Sequence, residues 1–155
     1  MYSAKNIADW FLCQLNTEAG DTMSPLKLQK LIYYAQAWHL TIFGKGLFNE
    51  PIQAWKHGPV VPTQYARFAS LTKYAPIPVE QFNVERVSFE EEVEALLKDV
   101  SNIYGEHQAS YLEELTHSET PWIEARGGLP AYASCTNEIS PQSMVDFYSK
   151  KLADG

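Results

Sequence analysis

The sequence predicts a mainly α fold: a compact single-domain bundle of about six or seven helices, with a small β-hairpin or strand element near residues 47–57. Two observations carry most of that prediction. Apolar residues recur at the helical period through most of the chain, and proline or serine caps stand directly before several of the apolar runs. A third is negative: only the region around 47–62 combines short apolar runs with glycine and proline in the manner of a strand and turn. At 155 residues the chain matches one domain and can bury a substantial core without disulfides or metals.

Ser3 caps a first helix that carries Ala4, Ile7, Ala8, Phe11, Leu12 and Leu15 on one face and Lys5, Asp9 and Gln14 on the wet side. Residues 16–21 read as a loop. Ser24-Pro25 then sets a cap before an N1 proline, and Leu28, Leu31, Ile32, Ala35, Trp38 and Ile42 form the core stripe of a helix that Gly44 ends. Leu26, Tyr33, Tyr34, Ala37 and Leu40 make its other sides apolar as well, which places this helix at the centre. Only Lys27, Gln29, Lys30 and Gln36 break the pattern.

Leu47-Phe48 and Ile52 to Trp55 are strand candidates. Trp55-Lys56-His57-Gly58-Pro59-Val60-Val61-Pro62 reads as the end of a strand, a rigid turn at Gly58-Pro59, and a helix start at Pro62. Residue types alone favour a structural turn there, with Trp55 in the core and Lys56 and His57 solvated. Tyr65, Phe68, Ala69 and Thr72 continue as a moderate helical stripe, and Pro76 to Val87 is connector. Ser88 with Glu91 has the spacing of a capping box before Phe89, Val93, Leu96, Leu97, Val100 and Tyr104. Glutamates 90–92 then lie at the positive end of that helix dipole, a structural reason for the acid cluster.

Gly105 closes that helix, and Ala109, Leu112 and Leu115 predict a short one to about Thr116. Thr120-Pro121 repeats the cap-and-proline signal for another, ended by Gly127-Gly128. The last helix starts at Ser140-Pro141, with Ile139 and Met144 placed as a hydrophobic staple and Phe147, Tyr148 and Leu152 pointing inward.

The formal net charge of −7 argues against direct nucleic-acid binding, which draws its affinity from clustered Lys and Arg. With two cysteines, Cys13 and Cys135, and no leader or membrane-spanning run, the chain reads as cytoplasmic with reduced thiols. His39, His57, His107 and His117 share no paired spacing with the cysteines, so no metal site is expected. Gly44-Lys45-Gly46 is too short for a phosphate loop, and there is neither a serine elbow nor a catalytic cysteine signature. The reading is of a non-enzyme without cofactors. His39 is expected to be satisfied and partly buried, His117 to act as a cation at a helix C-terminus, Trp10 and Trp38 to lie in the core, and Trp122 to pack its short helix. Lys27 and Lys30 oppose the dipole near a helix start, so a partner or nearby acid should hold them.

The chain resembles the Panacea domain family, also described as SocA-like or GepA-like antitoxins. The resemblance is carried by Ser3-Ala4-Lys5-Asn6-Ile7-Ala8, by Ser24-Pro25-Leu26-Lys27-Leu28-Gln29-Lys30-Leu31-Ile32-Tyr33-Tyr34-Ala35-Gln36-Ala37-Trp38, by Glu50 to Val60, and by Thr116-His117 with Pro121-Trp122. It implies a cytoplasmic, phage-associated or bacterial antitoxin that neutralises a cognate protein toxin by direct binding. Lys27, Lys30, Tyr34, Trp55, Lys56, His57, Pro59 and His117 become the candidate partner-binding residues, on a surface made of the 55–62 turn and an exposed helix start at 27–34. Two alternatives accompany it: a proteolytic adaptor that delivers the toxin to a ClpXP-type protease, and an enzyme using a pocket of Lys27, Lys56, His57 and His117.

Overall fold

Pro25–Phe43 is the axis of the molecule in the computed structural model, which describes residues 1–155. In chain order the elements are α1 (Ala4–Cys13), α2 (Pro25–Phe43), β1 (Gln53–Trp55), β2 (Gly58–Val60), α3 (Pro62–Arg67), α4 (Glu91–Tyr104), α5 (Ala109–His117), α6 (Thr120–Arg126) and α7 (Pro141–Asp154). The mainly α fold with seven helices and one small hairpin is the one the sequence predicts. α2 packs against α1, α3, α4, α5, α7 and the hairpin, and it is buried almost all round. No helix is long and apolar enough to cross a membrane.

The caps explain most helix starts. Ser3 and Asn6 form a reciprocal capping box on α1, Ser24 Oγ accepts from the Lys27 N–H at 3.2 Å, and Ser140 Oγ accepts from the Ser143 N–H at 3.0 Å. α2 stops at Gly44, which takes the left-handed conformation at φ 73° and returns its N–H to Leu40 O. Ile139 and Met144 are both buried at the start of α7, as a staple requires.

Two predicted caps are absent. α4 begins at Glu91 behind Glu90 with no side-chain cap, so Ser88 and Glu91 form no capping box; Glu91, Glu92 and Glu94 in the first turn answer the dipole instead. Thr120 is the first residue of α6 rather than its cap. Glu119 occupies the cap position, and its carboxylate is turned away to buried tyrosines.

The hairpin also differs from the reading of a turn at Gly58-Pro59. β1 and β2 pair antiparallel with Gln53 opposite Val60, Ala54 opposite Pro59 and Trp55 opposite Gly58, so Lys56-His57 is the turn. Pro59 fits because no acceptor opposite it lacks a donor: the Ala54 carbonyl accepts from Arg126 Nη1 at 3.0 Å, and the Ala54 N–H donates to Asn137 O at 2.7 Å on the other edge of β1. Ile139 N–H donates to Ile52 O on the same edge. Leu47-Phe48 lies outside the hairpin and forms a bridge with Tyr2. Five residues of the predicted apolar stripes turn out exposed, Ile42, Tyr65, Ala69, Thr72 and Leu152, and α3 stops at Arg67, short of Ala69 and Thr72. Asp9, expected on the wet side of α1, is buried, where Lys5 and Arg67 pair with it.

Candidate functional site

The polar residues that interrupt the apolar pattern of α2 are the braces of the site. Gln29 grips the backbone of Val61 from both sides, accepting from its N–H at 2.9 Å and donating to its carbonyl at 3.3 Å. Two turns further, Gln36 does the same for the 47–48 segment, accepting from Leu47 N–H at 2.7 Å and donating to Phe48 O at 2.9 Å. A buried glutamine is tolerated only when its amide is satisfied, and each of these satisfies loop backbone in return.

Lys30 stands beneath the hairpin. Its side chain is fully buried and Nζ donates to Pro59 O at 3.3 Å. Gly58 makes room for it: with φ at 110°, any Cβ there would overlap Lys30 Cε and crowd Thr116 of α5. Burial depresses the Lys30 ammonium to about 7, with Glu113 of α5 acting in the opposite direction. Glu113 Oε1 also lies 3.3 Å from His57 Nδ1 at the turn, and the Lys73 ammonium donates to His57 Nε2 at 3.2 Å. Because an ammonium only donates, His57 Nε2 is the acceptor and the ring proton sits on Nδ1, facing Glu113.

α6 straps β1 from the other side. Trp122 Nε1 donates to Trp55 O at 2.8 Å and Arg126 Nη1 to Ala54 O at 3.0 Å, while the Arg126 guanidinium lies over the Trp122 ring. His117 stacks on Trp122 with ring centroids 4.1 Å apart. Burial lowers its pKa, so His117 favours the neutral ring and is not the helix-end cation the sequence predicts.

Behind this lies a second polar cluster. Glu119 Oε1 accepts from the Tyr34 and Tyr148 hydroxyls, each at 2.8 Å, and the Tyr148 oxygen, its one proton given to Glu119, lies 3.1 Å from the Tyr33 hydroxyl and can accept from it. Tyr34 stacks on Tyr104, whose hydroxyl accepts from Trp38 Nε1 at 2.9 Å. Burial raises the Glu119 carboxyl pKa and the tyrosine hydroxyls oppose it; burial likewise drives Tyr34 and Tyr148 upward, and Tyr104 to about 12.

The exposed part of the site is a groove of about 210 Å³ between the hairpin, α3 and the start of α2. Leu26, Val60, Phe68 and Leu71 line it, Trp55 and Tyr65 form a wall with ring centroids 4.7 Å apart, Lys56 and Lys73 supply its cationic side chains, and His57 adds its imidazole. A larger cleft of about 980 Å³ beside the end of α7 contains none of the eight candidate partner-binding residues.

Of the eight candidate residues, Trp55, Lys56 and His57 reach the groove. Lys30, Tyr34 and Pro59 are buried, which corrects the expected exposed helix start at 27–34. Lys27 is half-buried and donates to Gly105 O, and it does not line the groove; nor does His117. The four-residue enzymatic set is therefore not gathered into one pocket. Lys27 and Lys30 are held as expected for lysines near a helix start, but by backbone carbonyls instead of an acid partner. Trp55 is half-buried at the rim rather than in the core, and Trp38 is only partly buried. Sequence reasoning missed Gln29, Lys73, Glu113, Glu119 and Arg126, since each acts on a segment distant in the chain.

Fold and site define a small helical domain that presents one braced hairpin and an adjoining apolar groove. Residues 28–123 match the family model described as antitoxin SocA-like, Panacea domain, and the chain belongs to that family. A stretch of 48 residues is 44% identical to Antitoxin SocA of Caulobacter vibrioides (strain NA1000 / CB15N). That similarity covers 31% of this chain and 26% of the relative, so it spans about a quarter of that protein. No solved structure matches the chain.

Proposed function

We propose that this chain acts as a single-domain cytoplasmic antitoxin that neutralises a cognate protein toxin by direct binding. Family membership supports the antitoxin role. The observation that carries the binding surface is the hairpin turn, where half-buried Trp55 and His57 and exposed Lys56 stand on a backbone clamped by Gln29, Lys30, Trp122 and Arg126. A pre-formed turn loses little conformational entropy on association, and tryptophan and tyrosine are the side chains that most often concentrate binding energy. Lys30, Pro59 and His117 then support this surface from behind instead of touching the partner, whereas Lys27 holds Gly105 O and Tyr34 holds Glu119.

Calorimetry against the product of the adjacent gene tests the proposal. The double substitution Lys56→Ala and His57→Ala should weaken binding by about tenfold or more, in the range of interface hot spots, with thermal unfolding nearly unchanged. Unchanged affinity removes this surface from the reading.

A further inference from the structure

We infer that the groove beside the hairpin takes an extended segment of the partner in which a large apolar side chain stands next to a carboxylate. This rests on the direct-binding reading and specifies the chemistry of the partner at that surface. The apolar anchor follows from size and lining. Cavities of about 150 Å³ lined by aliphatic and aromatic carbon accept benzene, and the groove is about 210 Å³ with Leu26, Val60, Phe68 and Leu71 around it. It therefore has room for one phenyl or branched aliphatic side chain, whose burial contributes about 1.5–3 kcal/mol.

The carboxylate follows from charge. The chain carries a formal net charge of −7, yet the groove is lined by Lys56 and Lys73 and by no Asp or Glu. Neither lysine forms a salt bridge within the chain. Lys73 uses one N–H on His57 Nε2 and keeps the others free, and the one acid near the turn, Glu113, meets His57 on its Nδ1 side. An acidic segment is repelled by most of this surface and accepted here. Exposed ion pairs contribute only about 0.2–1 kcal/mol each, so the apolar anchor supplies affinity while the lysines set register and exclude basic segments.

The test uses the full chain labelled with ¹⁵N and three synthetic peptides, Gly-Ser-Asp-Phe-Asp-Ser-Gly, the same with Lys for both Asp, and the same with Ser for Phe. The Asp-Phe-Asp peptide should shift the amides of the Lys56-His57 turn and of the Phe68 to Lys73 segment, and both controls should bind about tenfold more weakly or worse. Lys73→Glu should reverse the order of the acidic and basic peptides. Equal binding of the basic peptide, shifts confined to other surfaces, or no shift at millimolar peptide would overturn the inference.

A second arm uses the toxin. Ala69→Trp places an indole in the groove from an exposed position, and it should lower toxin affinity at least tenfold while the melting temperature holds. If the toxin binds both Ala69→Trp and Lys73→Glu as it binds the unmodified chain, the groove inference falls and direct binding stands. If the unmodified chain binds no toxin, direct binding falls and the peptide titration alone decides the groove.

Discussion

Replacing Lys30 by Met should stabilise the protein at pH 6 and lose that advantage as the pH rises. The side chain is sealed under the hairpin, and burial depresses its ammonium from 10.5 to about 7. That difference, at about 1.4 kcal/mol per pH unit, makes the charged form in the folded protein unfavourable by about 5 kcal/mol relative to the unfolded chain. The native state releases its proton near pH 7 while the unfolded state keeps it to 10.5, so the unfolded state binds more protons across that window. Stability therefore rises with pH between those values, and below pH 7 the full penalty persists. Met reaches as far as the Lys Cε without the charge, but leaves Pro59 O without its donor at a cost of about 1–3 kcal/mol. Glu113 loses the Lys30 charge but keeps His57 Nδ1 3.3 Å from its Oε1, and its side chain is partly exposed. The net expectation is a gain of about 2–4 kcal/mol at pH 6, shrinking by about 3 kcal/mol by pH 9.5. Urea unfolding followed by circular dichroism, extrapolated to water at each pH for both proteins, measures it. A difference that stays flat with pH, or a variant less stable at pH 6, refutes the account of Lys30 as a buried cation.

Gly58→Ala should cost about 2–4 kcal/mol in denaturant unfolding, since a side chain at φ 110° is strained and its Cβ meets Lys30. Glu119→Leu strips the acceptor from the Tyr34 and Tyr148 hydroxyls and should destabilise by about 2–4 kcal/mol, whereas Glu119→Gln keeps an acceptor and should be far milder. The pH dependence separates the two effects. Because the folded carboxyl pKa lies above 4.5, the native state holds the extra proton just above that value, and the Gln variant should gain on the parent as pH rises through the window. Arg126→Lys should cost about 2–4 kcal/mol and speed hydrogen exchange after Gly127, because the guanidinium bridges Ala54 O, Pro130 O and Ala133 O and an ammonium cannot span all three.

Much of this fold is local, and local physics was readable. Ser3, Ser24-Pro25, Ser140-Pro141 and Gly44 mark helix ends through bonds made within four residues of each, so no tertiary knowledge was needed. The failures are equally local in form. Ser88 and Glu91 have capping-box spacing but not its backbone, and Glu119 forgoes the cap because two tyrosines from other helices claim its carboxylate.

By itself the sequence determined that α2 is central, because a helix apolar on nearly every side has nowhere else to go, and that a constrained turn follows it near Gly58. Which of its polar residues are sites and which are braces was decided only in three dimensions. Periodicity reports the face a side chain leaves from, not the backbone it meets. Lys30 and Gln29 stand among apolar neighbours in the chain and look like surface, yet the hairpin folds over them and supplies the carbonyls and N–H groups that make their burial tolerable. Lys73, unremarkable in sequence, reaches His57 across sixteen residues and completes the cationic rim of the groove.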